Sequence, residues 1–393
     1  MSFPNKQVSY SPHPAPELDD TALQAALLTG VAMGQPGLSV AVGRAAEVVW
    51  AGAQGYRDLR RRLPLTAADR FGVGSITKTF VAVVVFQLAS EGYLDLAEPA
   101  TAYLDEPLVR RVPNADRASL RQLLSHTSGV PTWEFQPAWV RRGRGDQLEP
   151  DRIWGKAETL EYVTDEVVSA DFESGTAYSY SNTNYTLLGL VIEAVTGNPL
   201  SDELRRRILD PHGITTTCLD SFEPDRGVLT CNYHYATPDF RRDAGVHAAF
   251  TEVTPGVVET SAANLSPEWA AGGLTATAGD LVRFAQALHN GRLLTPEAQR
   301  AMFSTPRDGA APNHYLHGVS RWANAYGSMS LLGHAGGTLG YSAAMYWFEE
   351  IDLAVVALSN IGSMHSGLRA PPAKVFFQHV LLPTVMSVLN LAP

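Results

Sequence analysis

The segment FGVGSITKTFVAVVVFQLASEG, residues 71 to 92, restricts the fold more than any other stretch of the sequence. Its run from Phe80 to Leu88 is almost wholly apolar and is followed by Gly92, which is typical of a buried helix with a glycine stop signal. Lys78 lies at the beginning of this helix, where an ammonium group is costly to bury unless its chemistry is needed. Any fold of the chain must therefore bury this helix and accommodate the amine of Lys78.

Ser75 lies three residues before Lys78, so the two side chains share one face of the helix and can approach each other. Burial lowers the pKa of an amine, and a neutral amine can accept the proton of a serine hydroxyl. The free amide groups of the helix N-terminus would also favour negative charge near Ser75. The spacing predicts a nucleophilic serine, but serine is also a common helix cap, and Ser-x-x-Lys arises by chance roughly once in a chain of this length.

Strand and helix patterns along the 393 residues predict an α/β (α+β) fold. Apolar runs typical of strands lie near both ends and indicate one antiparallel sheet, whereas glycine-terminated helical runs occupy the middle. We expect a sheet domain in residues 1–90 and 300–393, a mainly helical subdomain in residues 91–299, and an active site in the cleft between them. Polar residues and a proline interrupt the apolar C-terminal stretch, which indicates a helix packed on the sheet rather than a membrane span.

Composition and charge exclude several classes of function. The formal net charge of -10 gives no basic surface for nucleic acid. Two cysteines, Cys218 and Cys231, are too few for a disulfide framework, and their redox state stays open. The 11 histidines are scattered, and no His-Glu-x-x-His motif occurs, so we expect no metal and no cofactor, with a small molecule as the substrate. The first 20 residues lack the apolar core of a secretory signal, which predicts a cytoplasmic protein.

Two further polar elements lie in turns beside predicted helices and strands. Tyr180 and Asn182 precede a helix, where a phenol can relay a proton and an amide can bind an amide-like substrate, although a polar turn needs no function. His334 ends a strand and can donate to a substrate oxygen or hold the tyrosine, although a lone histidine is more often structural. Gly336 and Gly337 follow it and would let a substrate lie against the strand. The backbone N–H groups of residues 75 and 337 would then form an oxyanion hole.

The walls of the substrate pocket are harder to predict. We expect Trp133 and Tyr233 to bind substrate, and the irregular stretch from Cys218 to Trp269 adds Tyr235 and Trp269 as candidate wall residues. Ordinary packing is the alternative for each of these aromatic side chains.

The ordered set GSITK, YSN and HAGG, with LLSHTSGV between them, resembles the serine penicillin-recognising enzymes over about residues 20 to 370. This group includes class C β-lactamases, D-Ala-D-Ala carboxypeptidases, D-aminopeptidases, D-amino-acid amidases and related esterases. The resemblance implies a β-lactamase/transpeptidase-like fold and an acyl-enzyme formed on Ser75. It further implies Lys78 and Tyr180 as the base and acid pair, in an order that stays open, Asn182 as a group that orients the acyl amide, and His334 in the place of the family's lysine.

One departure from the family's third motif bears on the substrate. Ala335 replaces a residue whose hydroxyl helps to bind a substrate carboxylate, which argues against β-lactams and peptides that end in free D-Ala. We therefore predict a serine hydrolase or acyltransferase that acts on a small, uncharged ester or amide, with compounds that contain a D-amino acid among the candidates. The alternatives are a D-Ala-D-Ala carboxypeptidase or β-lactamase, and, in a different class, a non-catalytic binding or sensor protein on the same scaffold. The acyl group, the acceptor and the oligomeric state stay open.

Overall fold

A seven-stranded antiparallel sheet forms the centre of the molecule, and strands from both ends of the chain build it. The computed structural model describes residues 19–306, 314–368 and 370–391, so the segment that underlies the predicted cytoplasmic location lies outside the described residues. The strand order of the sheet is β10-β11-β12-β13-β1-β2-β3. The strands of the chain are β1 Gly37–Arg44, β2 Glu47–Asp58, β3 Leu63–Pro64, β4 Phe71–Gly72, β5 Cys218–Leu219, β6 Tyr233–Tyr235, β7 Thr251–Thr254, β8 Val257–Glu259, β9 Leu274–Ala276, β10 Ser320–Tyr326, β11 Met329–Gly337, β12 Ser342–Phe348, β13 Leu353–Ser359 and β14 Ile361–Gly362.

The central strands are mostly apolar because helices cover both faces of the sheet. In β13, Leu353 and Val355 point into one core cluster, and the alternate residues Ala354, Val356 and Leu358 point into the other. Successive side chains of a strand leave on opposite faces, so a strand covered on both sides has no polar face to offer. The sheet thereby separates two layers of helices.

The helices of the described chain are α1 Asp20–Ala32, α2 Thr77–Ser90, α3 Pro107–Arg110, α4 Leu120–Ser125, α5 Pro137–Arg144, α6 Asn182–Thr196, α7 Leu200–Leu204, α8 Pro238–Asp243, α9 Trp269–Gly272, α10 Ala278–His289, α11 Pro296–Met302, α12 Pro372–Phe376 and α13 Leu382–Val388. On one face of the sheet, α1 packs with the C-terminal helices α12 and α13. A single π-helical turn joins those two. No helix in the described part of the chain is long and apolar enough to cross a membrane.

On the opposite face, α10 packs against β1 and β13. This position departs from the predicted division of the chain, which assigned residues 278–289 to the helical subdomain. The reason is that Leu281, Val282 and Phe284 form an apolar stripe that the sheet buries. Helix α2 lies deeper and is buried over nearly its whole length, in contact with α6, α9 and α11.

The irregular stretch after Cys218 contributes three strands to a small sheet that the sequence pattern did not reveal, and β14 supplies the fourth. Its strand order is β14-β6-β8-β7, and β14 pairs with β6 in parallel. The strands have only two to four residues, which is too short for an alternating pattern to stand out.

Candidate active site

Ser75 lies in a short 3-10 turn that leads directly into α2, and this turn packs against the end of β11. A side chain on Gly74, whose φ is +53°, would lie 2.6 Å from the backbone nitrogen of Gly337. A side chain on Gly336 would lie 1.9 Å from the carbonyl oxygen of Val73. Only glycine permits this close approach, which places the backbone of β11 beside the serine.

The amine of Lys78 reaches the serine as the sequence spacing predicts. Its Nζ lies 3.0 Å from Ser75 Oγ and donates a second hydrogen bond, of 2.6 Å, to the carbonyl oxygen of Ala271 in α9. The Lys78 side chain is fully buried, whereas Ser75 is partly exposed. Burial lowers the pKa of Lys78 from 10.5 to about 7, although the charges of Glu134 and Glu268 oppose the shift. A large fraction of this amine is therefore neutral near pH 7 and can accept a proton.

Tyr180 completes the group around the serine. The Lys78 Nζ lies 5.0 Å from the centre of the tyrosine ring. The Tyr180 hydroxyl is buried and makes no hydrogen bond of ordinary geometry with a described residue, although the Ser75 side chain lies close enough to interact with it. Burial holds its pKa well above the ordinary value, and interaction with the Ser75 side chain opposes that effect. The phenol is thus protonated and free to donate.

His334 belongs to a chain of hydrogen bonds whose direction is fixed at both ends. The backbone N–H of Ser181 donates to His126 Nδ1 at 3.2 Å, and His126 Nε2 lies 3.1 Å from the Tyr315 hydroxyl. That hydroxyl lies 3.2 Å from His334 Nε2, and His334 Nδ1 lies 2.5 Å from the carbonyl oxygen of Ala335.

An amide N–H can only donate and a carbonyl oxygen can only accept, so one arrangement of protons satisfies the whole chain. His126 carries its proton on Nε2 and donates it to the Tyr315 hydroxyl. Tyr315 in turn donates to His334 Nε2, and His334 donates from Nδ1 to the carbonyl oxygen of Ala335. Burial lowers the pKa of His334 to about 3 and that of His126 well below its ordinary value, so both rings are neutral. Both nitrogens of His334 are engaged, which leaves none to donate to a substrate. The tyrosine that it hydrogen-bonds is Tyr315, whereas it meets Tyr180 only through a ring contact at 6.3 Å between the ring centres.

A buried charged cluster, which the sequence reasoning missed, lies next to Lys78. Arg144 contacts Glu268 and lies 3.7 Å from Glu134, and all three side chains are buried. Burial raises the pKa of Glu134 to about 7, and the charge of Arg144 opposes this. No local pattern signals the cluster because Glu268 lies 124 residues beyond Arg144 in the chain.

Asn182 is buried at the beginning of α6 and serves this cluster. Its Nδ2 donates to Glu134 at 2.6 Å, whereas its Oδ1 has no hydrogen-bond partner in the described ranges. It is not among the described residues that line the cavity beside Ser75. Asn182 therefore lies behind Glu134, which does line that cavity.

The structure does not support the aromatic side chains predicted to form the pocket wall. Trp133 is fully buried, and its indole donates to Thr186 at 3.2 Å. Tyr233 is also fully buried, and its hydroxyl accepts from the backbone of Leu59 at 2.7 Å. Neither residue lines the cavity among the described positions, nor do Tyr235 and Trp269. Their apolar rings instead serve the interior packing of the helical layer and the small sheet.

The cavity that opens onto Ser75 has a volume of about 330 Å³. Aromatic and small side chains dominate its wall. The described residues that line it are Ser75, Glu134, Tyr178, Tyr180, His314, Tyr315, Ser320, Trp322, His334, Ala335, Gly336, Gly337, Tyr346, Met364, Pro371 and Lys374. Among the described residues, no group of three or more His, Cys, Asp or Glu side chains is placed to hold a metal ion.

Comparison with known proteins gives consistent matches. The family model described as Beta-lactamase matches residues 24–376. Esterase EstB of Burkholderia gladioli is 26% identical over 349 residues, which cover 84% of this chain and 86% of that protein. The D-stereospecific amidohydrolase of a Streptomyces species is 29% identical, with a TM-score of 0.72 over 87% of this chain and 94% of its own. The D-amino acid amidase of Ochrobactrum anthropi SV3 is 28% identical, with a TM-score of 0.75 over 94% of this chain and 98% of its own.

Proposed function

This chain belongs to the beta-lactamase family, and from that premise we propose that it hydrolyses a small ester or amide through an acyl-enzyme on Ser75. The family match confirms the predicted resemblance, and the solved relatives confirm the predicted β-lactamase/transpeptidase-like fold. The chain is accordingly a serine hydrolase of this family. The roles of its individual residues are our proposal, and the contact between Lys78 and Ser75 is the observation that carries it.

The first step is attack by Ser75. Neutral Lys78, 3.0 Å away, accepts the hydroxyl proton while Oγ bonds to the substrate carbonyl carbon. The raised pKa of Tyr180 makes the phenol a poor first base at neutral pH, which favours Lys78 in that role. The backbone N–H groups of Ser75 and Gly337 stabilise the negative charge that develops on the carbonyl oxygen, a contribution of about 3 kcal/mol per donor in other acyl-transfer enzymes.

The second step expels the leaving group. Tyr180 donates its phenolic proton to the departing oxygen or nitrogen and regains one from protonated Lys78, whose ammonium lies over its ring. The acyl group is then bonded to Ser75 Oγ. Water attacks this ester by the reverse sequence of proton transfers, which releases the acid and restores the serine. An amine or alcohol in place of water would give acyl transfer, which we retain as a proposal because the same groups serve both reactions.

The substrate class follows from the cavity and from the relatives. A volume of about 330 Å³ suits a small molecule rather than a folded partner. One relative is named an esterase, and two solved relatives are named for D-amino acid or D-stereospecific amide hydrolysis. We propose esters and D-amino-acid amides as the first substrates to test on this chain.

Intact-protein mass spectrometry tests this function directly. Wild-type protein and Ser75→Ala are each exposed to activated esters, D-amino-acid amides and a penicillin, and the mass of the protein is recorded over time. We expect wild type to gain the mass of an acyl group and Ser75→Ala to gain none. Equal labelling of both proteins would overturn Ser75 as the nucleophile. If no compound labels the protein and none is turned over, a non-catalytic binding protein is favoured instead.

The predicted cytoplasmic location also stays a proposal. It depends on the amino-terminal residues, which lie outside the described ranges. Fractionation of the native host cell, with immunodetection of the full chain in each fraction, tests it, and recovery of the protein outside the cytoplasmic fraction would refute it.

A further inference from the structure

Lys374 is a cation in the wall of the active-site cavity. It lies in α12, two residues after Pro372. Lysine is rare in this chain, because only four of its 30 basic residues are lysines, at positions 6, 78, 156 and 374. Two of the three described lysines thus lie at the site, one behind the serine and one in the cavity wall.

The Lys374 ammonium has no hydrogen bond and no ion pair with any described residue. It lies 5.0 Å from the centre of the Trp322 ring and is partly buried. The other two lysines are engaged, since Lys78 contacts Ser75 and Lys156 pairs with Glu193 at 2.7 Å. A partly buried cation without an anionic partner loses hydration and gains little in return, unless a ligand supplies the missing charge.

The position of Lys374 relative to the reacting atoms suits contact with a substrate. Pro371 approaches the end of β11, where a side chain on Gly337 would lie 3.9 Å from the proline ring. The charge of Lys374 also contributes to the lowered pKa of His334. The ammonium thus lies beside Trp322 of β10, in the same cavity wall as His334 of β11.

The one carboxylate in the described cavity wall does not neutralise Lys374. Glu134 is engaged by Arg144 and by Asn182, which donates to it at 2.6 Å. A substrate that enters the cavity thus meets a positive charge that no described carboxylate compensates, beside aromatic surface from Trp322 and Tyr346.

We propose that Lys374 forms an anion subsite and that the preferred substrates are esters or amides that carry a carboxylate. This inference rests on the proposed function, because it names the substrate class of the same site. It also revises the expectation of an uncharged substrate, which was drawn from the absence of a hydroxyl at Ala335. Lys374 can attract a carboxylate even though that hydroxyl is missing. A lysine ammonium is a compact point charge with three N–H donors, so it can donate a hydrogen bond to either oxygen of a substrate carboxylate.

Matched chromogenic esters test the subsite. For charge on the acyl side, mono-4-nitrophenyl glutarate is compared with 4-nitrophenyl valerate; for charge on the leaving group, 5-butyryloxy-2-nitrobenzoate is compared with 4-nitrophenyl butyrate. We measure kcat/KM for wild type, Lys374→Met, Lys374→Arg and Lys156→Met. The last variant changes the net charge by the same amount at a position away from the cavity.

We expect the anionic-to-neutral ratio of kcat/KM in at least one pair to fall by about 10-fold or more in Lys374→Met, which is typical for loss of a charged hydrogen bond. Lys374→Arg should retain most of the ratio, and Lys156→Met should retain all of it. Added salt should reduce the ratio in wild type. Equal changes for both members of both pairs in Lys374→Met would overturn the subsite.

A binding measurement separates failure of the subsite from failure of the proposed function. Ligand-observed NMR on Ser75→Ala compares glutaric acid monoamide with valeramide, with and without Lys374→Met. If the anionic amide binds preferentially and Lys374→Met abolishes this preference, the subsite is supported even if no ester is turned over. Equal binding of the two amides overturns it even if Ser75-dependent turnover is observed.

Discussion

The core of the central sheet and the charged cluster behind Ser75 are equally buried but obey different rules. In β13 every side chain is buried, and alternate residues fill two apolar cores. Behind the serine, the molecule buries Lys78, Arg144, Glu134 and Glu268. Apolar burial contributes about 25 cal/mol per Å², whereas a buried charge costs free energy that its ion partners only partly recover. The sheet is thus explained by stability, and the cluster by the chemistry that it supports.

Replacement of Lys78 by methionine separates these two explanations most sharply. We expect kcat/KM for any substrate to fall by about 10²- to 10⁴-fold because the group that accepts the Ser75 proton is lost. The free energy of unfolding should rise by about 2 kcal/mol at neutral pH. The folded pKa of Lys78, about 7, lies below its ordinary value of 10.5. Burial of Lys78 therefore lowers the free energy of unfolding most below pH 7, and this cost disappears as the pH rises towards 10.5. The increase in stability of Lys78→Met should likewise be largest below pH 7 and vanish towards pH 10.5.

Leu358→Ala is the matched change in the sheet. Leu358 is fully buried in β13, and its truncation should cost about 2 to 5 kcal/mol of unfolding free energy. The folded fraction should keep its activity because Leu358 is not among the described residues that line the cavity. Denaturant unfolding and steady-state kinetics on both variants check the pair. A lower stability of Lys78→Met at every pH would contradict the view that this residue is retained for catalysis.

The contrast also explains how much the sequence could predict. The motif residues Ser75, Lys78 and Tyr180 lie together as the spacing and the family resemblance imply, because local helix geometry fixes the first two. The β1, β12 and β13 strands were equally visible as apolar runs. In both cases the signal lies within a few neighbouring residues, where period and spacing can be read directly.

The parts that sequence reasoning missed depend on contacts between distant segments. Arg144 lay in an arginine-rich stretch that resembles a solvated loop, yet it is buried against Glu268, which lies 124 residues further along the chain. Tyr315 has no motif of its own, yet it joins His126 to His334. Conversely, aromatic composition alone suggested Trp133 and Tyr233 as pocket walls, although a large ring is more often part of the core.

The pH dependence of the reaction probes the charged cluster with a smaller expected effect. Lys78 acts in its neutral form, so kcat/KM should rise with pH and level off above about pH 7. The negative charge of Glu134 raises the pKa of Lys78, so Glu134→Gln should move the midpoint to lower pH. The midpoint should move by only about half a pH unit, because burial raises the pKa of Glu134 to about 7 and leaves this carboxyl partly protonated over the same range. The glutamine can still accept the hydrogen bond from Asn182.

Glu193→Gln is the control for this experiment, because Glu193 pairs with Lys156 and does not line the cavity among the described residues. It should leave the midpoint in place. Profiles of kcat/KM from pH 5 to 9 decide the matter. A midpoint that moves to higher pH in Glu134→Gln, or moves equally in Glu193→Gln, would contradict control of Lys78 by the cluster.

The smallest effect is expected from Tyr315→Phe, which removes only the hydroxyl between His126 and His334. Loss of this hydroxyl leaves two buried ring nitrogens unpaired, at a cost of about 1 to 3 kcal/mol of unfolding free energy. We expect kcat to fall by about 3- to 10-fold, because His334 lines the cavity and loses the contact that fixes its ring. Tyr341→Phe is the matched control, since its buried hydroxyl donates to the carbonyl oxygen of Thr230 at 2.5 Å and contacts no histidine.

Nitrogen NMR of the histidine rings distinguishes a positioning role from simple loss of stability. Wild type should show His334 protonated on Nδ1 and His126 on Nε2, both neutral at pH 7, because burial lowers both pKa values. Both tyrosine variants should lose stability, but only Tyr315→Phe should alter the His334 tautomer together with kcat. Protonation of His334 on Nε2 in wild type would reverse the inferred direction of the chain, and an equal loss of kcat in Tyr341→Phe would reduce Tyr315 to a packing residue. With these tautomers, the neutral hydrogen-bond chain is intermediate between the apolar sheet and the charged cluster. It is polar and buried, but each of its donors has an acceptor. It can therefore hold the β11 side of the site in place without the cost of a buried charge.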